Sequence, residues 1–291
     1  MANRPVFVAI ERAPFYRAIV TEFEWSGGFA LSQSRKNIAA LHASFKRRSV
    51  GKNVLEISSK SPDEIGVNAS AFNLMKLVPS MGRSVPVECI FQSSKVFASA
   101  GPFPELLTAS PRDAKRDPRI AGGGRLRAFR FEGVEYPLTS DVGFYDYIYI
   151  NALLENPEIA AKLQEYDAFT DIVFNPEKSR NCQARSAAIY VSLQRLGKLD
   201  ALSSFESFIK EVNESFTMPA EQPPVPKEPE PEAVVTEAPR KLSLGDVVDH
   251  KAFGRGTVTE LGSTTVKVTF ETVGVKALGI DWVKKNCEIN A

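Results

Sequence analysis

Cysteine is scarce in this chain of 291 residues: Cys89, Cys182 and Cys287 lie far apart and form no C-x-x-C pair. That spacing argues against a disulfide framework and a structural zinc site, and it fits a reducing compartment. No apolar run approaches the roughly 20 residues that cross a bilayer as a helix. Met1–Ile10, interrupted by Arg4 and Pro5 and followed by Glu11, lacks the basic-then-apolar order of a secretory leader. A cytoplasmic setting without membrane contact is expected. Net charge is nearly absent too, with 36 Lys and Arg against 35 Asp and Glu. Nucleic-acid binding through bulk electrostatics is thereby disfavoured, although a local basic patch is not. Histidine occurs only at His42 and His250, without a cysteine partner in sight, and there is no P-loop, G-x-G-x-x-G or metal-ligand spacing. No metal or cofactor is expected. What is present, 43% hydrophobic and 24% charged residues, describes a globular protein with one substantial core and something smaller.

Composition divides the chain. Residues 219–240 hold seven of the 19 prolines and five glutamates, with little to bury, and read as an extended acidic linker. Two folded units are expected, 1–218 and 241–291. In the smaller, short alternating runs at Asp246–His250, Gly256–Leu261, Thr265–Phe270 and Val275–Ile280 are punctuated by glycine, the pattern of a small β-barrel or sandwich. Its His250-x-x-Phe253-Gly254-x-Gly256-x-Val258 string resembles the Tudor-like (SH3-like) barrel at the C-terminus of some bacterial helicases. That resemblance implies docking of protein or nucleic acid. In the larger unit a β-pair is expected at Pro5–Ile10 and Tyr16–Phe23, with a further strand at Val54–Ser58. Helices are expected at Ser32–Lys46, Pro86–Ala98, Phe144–Glu155, Pro157–Tyr166 and Cys182–Leu196, and a loop with a flexible Gly122–Gly124 at 110–130. The class is α+β, dominated by helices.

Chemistry concentrates in Ser84–Phe97. Glu88, Gln92 and Lys95 follow at i, i+4 and i+7, so on one continuous helix they lie within about 60° of each other. A carboxylate, an amide and an amine then share a stripe, either a site or a solvated polar face. Cys89 is turned by about 100° from Glu88, toward the core.

Glu88-Cys-x-Phe-Gln92-x-x-Lys95 resembles the E-[HC]-x-[FY]-Q-x-x-K signature of the NADAR (YbiA-like) family, with Cys89 where histidine is usual. Ser70-Ala-Phe-Asn73 resembles its S-N-F element and Tyr147–Leu163 its second helical stretch, whereas the family's tryptophan-glycine element is missing. Longer strings are similar to one branch, the antitoxins paired with DarT-type toxins that ADP-ribosylate guanine in DNA: Pro5-Val-Phe7, Glu22–Trp25, Leu55–Lys60, Phe144–Asp146, Phe169–Asp171 and Asn181–Ser186. The resemblance implies a glycohydrolase that removes ADP-ribose from guanine bases of DNA. A DarT-type toxin is then the functional partner, whether or not the two proteins touch. In this reading Lys95 is the nucleophile that forms a Schiff base, which requires its neutral form, and Glu88 moves the proton. Gln92, Asp146 and Asp171 are candidates for holding ribose or guanine, and Asn73 for ribose or phosphate. Asn181, expected to cap the helix after it, and Arg185 would suit a pyrophosphate. Each of these also has an ordinary role as a cap, turn or surface residue.

Residues 112–130 carry a local excess of five positive charges, and Arg116, Arg119, Arg125 and Arg127 are candidate contacts to DNA phosphates. Two competing functions stay open: an N-glycosidase on a small phosphorylated riboflavin-pathway intermediate, and a non-catalytic ADP-ribose reader or adaptor.

Overall fold

The computed structural model describes residues 1–213 and 242–290, apart from 29, 50, 140–141, 176–180 and 251. The expected linker lies outside the described residues. The chain divides into two compact units, Met1–Ala220 and Glu221–Ala291.

The first unit begins as the alternation of its sequence dictates, with β1 (Ala2–Ala9) and β2 (Tyr16–Phe23) paired antiparallel. β1 is internal: β9 (Ala168–Thr170) runs antiparallel on its other side, and β3 (Val54–Glu56) pairs parallel with β9. Alternating side chains of this sheet feed two cores. Val6 and Val8 pack with Ile38, Leu41 and Phe45 of α1 (Leu31–Arg48), while Phe7 points into the main core with Leu55 and Phe169. α8 (Gln183–Arg195), small on its packed face (Ala184, Ala187, Ala188), lies in that main core beside α6 (Phe144–Leu154).

Between β3 and α6 the chain builds the part that matters for chemistry. α2 (Glu64–Asn68) leads to the hairpin of β4 (Met75–Val78) and β5 (Arg83–Pro86), which runs into α3 (Val87–Ser93). Every residue of α3 is buried. Its first N–H groups, which a helix cannot satisfy internally, donate to the carbonyls of Leu74 (from Val87, 3.0 Å) and Ala71 (from Glu88, 2.9 Å). Then the helix stops, seven residues long, where a helix to Ala98 was expected. Ser93 and Ser94 hydroxyls turn back onto the Ile90 carbonyl. The carbonyls of Ser93 and Ser94 accept from the N–H groups of Phe103 and Arg130. The strand formers that follow make β6 (Lys95–Phe97).

Residues 110–130 are likewise not a loop. Ser110 caps α4 (Pro111–Arg116) and Asp117 caps α5 (Pro118–Gly122), each with a proline at the first helical position. β7 (Leu126–Phe131) then pairs with β6 and, through a two-residue turn at Glu132-Gly133 with both residues at positive φ, with β8 (Val134–Pro137). The glycine run serves packing, because a Cβ on Gly123 would lie 2.6 Å from the Phe97 ring. α7 (Pro157–Leu163) and α9 (Phe205–Asn213) complete the unit.

In the second unit β10 (Val247–His250), β11 (Gly254–Leu261), β12 (Thr265–Phe270) and β13 (Gly274–Gly279) form at the expected runs. A short α10 (Ile280–Asn286) and β14 (Glu288–Asn290), absent from the sequence reading, follow. The strands pair antiparallel in the order β13-β12-β11-β10-β14 around Val248, Val258, Val268 and Phe270.

Candidate active site

A cavity of about 650 Å³ opens against the side of α3, within the roughly 300–1,000 Å³ common for small-molecule sites. α3 supplies Glu88, Phe91 and Gln92, and β6 supplies Lys95; Lys115 of α4, Ile120 of α5 and Tyr145 of α6 add to the wall. Ser58, Phe72, Asp171, Phe174, Asn181 and Gln183 line the rest.

The polar groups stand in a row. Lys95 Nζ donates to Gln92 Oε1 (2.7 Å), and Gln92 Nε2 donates to Glu88 Oε1 (2.8 Å). Glu88 and Gln92 are each 5% exposed. The i, i+4 half of the expected stripe is therefore real, whereas Lys95 arrives from the strand after the helix. The Gln92 amide stands between lysine and glutamate. Burial lowers the Lys95 amine from 10.5 to about 8, against the pull of Glu88 and with help from Lys115. The Phe91 ring lies 4.7 Å from Nζ, and Phe91 in turn meets Tyr145 edge-on at 5.0 Å.

Asp171 lines the same cavity. Its Oδ1 accepts the N–H groups of Val173 (3.0 Å) and Phe174 (3.2 Å), and its Oδ2 accepts from Gln183 Nε2 (3.0 Å). Gln183, which the sequence reading passed over, is a clamp: Nε2 also donates to the Ile57 carbonyl and Oε1 accepts from Ala71 N–H, tying three wall segments together. Behind Asp171 lies a second missed group, Glu56, fully buried on β3. It accepts from Ser58 Oγ (2.7 Å), Thr170 Oγ1 (2.6 Å) and Ile172 N–H (2.9 Å), and His42 Nε2 is 2.8 Å from the same Thr170 hydroxyl. Burial first, and then the neighbouring Asp171, raises the Glu56 carboxyl toward neutrality; burial raises Asp171 as well. Burial lowers His42 to about 4.

A carboxyl whose folded-state value is raised binds protons more readily folded than unfolded. Its contribution to stability is therefore full below about 4.5, the ordinary glutamate value, and is lost as pH rises toward neutrality. Glu56→Gln, which reproduces the protonated shape, should remove roughly 1–3 kcal/mol of that pH dependence. Thermal melts of both proteins at pH 5 and pH 8 check this, and equal slopes would show that Glu56 is not the group responsible.

Other sequence candidates fall elsewhere. Asp146 and Arg185 do not line the cavity. Arg185 Nε and Nη2 grip Asp146 Oδ1 (3.1 Å) and Oδ2 (2.7 Å), and Asp146 also takes Ser186 Oγ (2.8 Å) and Gly143 N–H (3.0 Å). The pair is a buried brace between α6 and α8. Asn73 folds its own loop, donating to the Val67 carbonyl (2.9 Å) and Ser70 Oγ (3.2 Å). Asn181 does line the cavity, but Cys182 rather than Asn181 is the cap residue of α8. The Cys89 thiol faces the core, donating to the Ala109 carbonyl, and burial raises it to about 11, which leaves it inert as a nucleophile. Arg116, Arg125 and Arg127 are exposed, while Arg119 is bound to Asp117 and Glu105 and lies over the Phe103 ring.

Among the described residues no helix is long and apolar enough to cross a membrane. No curated protein matches the chain. The family model described as DarT1-associated NADAR antitoxin matches residues 2–222, all but the first residue of the unit that carries the cavity. The chain belongs to the DarT1-associated NADAR antitoxin family.

Proposed function

We propose that this antitoxin is a glycohydrolase that removes ADP-ribose from guanine bases of DNA, undoing the modification made by its DarT-type toxin. The observation that carries the reading is the Lys95–Gln92–Glu88 row inside one cavity, with an amine lowered to about 8. At pH 7 about a tenth of such amines are uncharged, against roughly one in three thousand at the ordinary value.

The bond joins the anomeric carbon to the guanine exocyclic nitrogen. Glu88 relays a proton from water to the ring oxygen, and the ring opens to an iminium on guanine; the hydroxide left behind is neutralised when the lysine iminium is hydrolysed. Free Lys95 adds to the anomeric carbon. Its proton passes to the guanine nitrogen through the carboxylate, the carbon–guanine bond breaks, and a lysine iminium remains. Water adds to that carbon, the carbon–lysine bond breaks, and the released aldehyde closes to ADP-ribose. The sum is one water consumed. Gln92 orients ligand and lysine without titrating. In this reading Asp171 and Asn181, both in the cavity wall, hold ribose or base. A DNA substrate would put the protein in the cytoplasm.

Incubating the protein with ADP-ribosylated single-stranded DNA tests the proposal. Release of free ADP-ribose supports it; tight binding without release makes the protein a reader; neither points to a small N-glycoside. The expected rate climbs with pH to about 8 and then levels, as the amine loses its proton. Exposed Arg116, Arg125 and Arg127 supply the phosphate grip in this reading. Neutralising all three should weaken DNA binding and reduce the slope of log affinity against log salt by about 2. An unchanged slope would make them surface charges only. For the C-terminal unit we propose docking of protein or nucleic acid, supported by the clustered rings of His250, Phe253 and Trp282, with centroids 4.5–6.4 Å apart.

A further inference from the structure

We infer that Lys115 is the counter-ion of Glu88 and, through it, a positioning residue that leaves the Lys95 amine free; this rests on the reading of Lys95 as the nucleophile. In sequence Lys115 is one of seven cations in the basic segment. In the fold it leaves that segment and joins the row in the cavity.

Lys115 Nζ lies 3.9 Å from Glu88 Oε1, the same oxygen that accepts from Gln92. The order along the wall is amine, amide, carboxylate, ammonium. The Lys115 side chain also lies over the Phe72 ring, 5.4 Å from its centroid, on the loop whose Ala71 carbonyl caps α3. Two attractions from different elements thus place a helix-borne cation at the cavity wall.

The consequence for Lys95 follows from what faces it. On α3 these are Glu88, the neutral Gln92 and the Phe91 ring; on α4, Lys115; on α6, Tyr145; after β9, Asp171. Glu88 draws Lys95 toward the ammonium form. Lys115 opposes it twice, by pairing with the Glu88 carboxylate and by repelling a second ammonium. Without Lys115 the carboxylate would turn its whole attraction on Lys95, and less of the nucleophile would be free at neutral pH.

The Lys95 amine can be titrated directly in the full-length protein by 13C reductive methylation and NMR, its resonance assigned with Lys95→Arg. Lys115→Met should raise the Lys95 value by about half to one pH unit, a shift kept modest because the Lys115 side chain is 55% exposed. Lys115→Arg should hold it near wild type, and Lys115→Gln serves as a second neutral variant if the methionine protein does not fold. The rising limb of the pH–rate profile should move by the same amount, with the rate recovering at high pH. An unmoved Lys95 titration in both neutral variants overturns the inference, as does a rate lowered equally at every pH. Should Lys95 titrate as expected while Lys95→Ala still turns over, the nucleophile fails and the counter-ion stands.

Discussion

Lys95→Ala is expected to abolish release of ADP-ribose from modified DNA, by at least about two to three orders of magnitude, with the fold intact. The size follows from the chemistry. A covalent route splits one hard step into two easier ones, and the residual variant keeps only proton transfer and binding, with proton transfer worth roughly 10²–10⁴ by itself. The fold should survive because Lys95 is only half-buried, its backbone pairs with Phe129, and its side chain makes one hydrogen bond to a residue already held by Glu88. Borohydride added during turnover should freeze the iminium as a stable amine, so that mass spectrometry finds ADP-ribose on Lys95 in wild type and nothing in the variant. Glu88→Gln should slow the reaction without removing the amine that is trapped. A Lys95→Ala protein working near the wild-type rate would eliminate the covalent route, whatever the cavity holds.

The second large effect falls on stability. Asp146→Asn and Arg185→Met should each cost about 3–5 kcal/mol, because each breaks a buried ion pair by removing the charge of one member. The two side chains are 0% and 5% exposed. For a unit of this size the loss lowers the melting temperature on the order of 10 °C. Arg185 also lies over the Tyr16 ring, so the damage reaches β2 as well as α6 and α8. Turnover per folded molecule should hold, since neither residue lines the cavity. Asp171→Asn gives the contrast: it sits in the cavity wall, and there activity is the expected casualty. A stable Arg185→Met protein with a raised KM would return the pair to the ligand.

That contrast shows what the sequence could disclose. Period and breaker residues located α1, α6 and α8 within a few positions, because their apolar spacing and flanking residues agree with their environment. The end of α3 was hidden: it depends on β7 lying alongside, some 30 residues downstream, and on carbonyls that accept from Phe103 and Arg130. The pairing of Asp146 with Arg185 was equally hidden, since a separation of 39 residues carries no signal of contact. Glu56 did leave a trace. A carboxylate between Leu55 and Ile57, both fully buried, breaks an apolar run where nothing polar belongs unless it is satisfied. Gln183 and Lys115 left none, because a clamp and a counter-ion are defined by what surrounds them.

The pairing of β6 with β7 sets a ruler. Lys95 stands opposite Phe129, and Arg127 lies two residues back along the same ribbon, with Gly123 seated against Phe97 beneath it. Strand-paired backbones do not stretch, so under the proposed function the distance between the backbone positions of Arg127, for phosphate, and Lys95, for sugar, is a fixed length. A lesion offered on a taut duplex, or moved along its strand by a looped-out nucleotide, would present its phosphates out of step with its base. Discrimination would then come from spacing, with no base letter read.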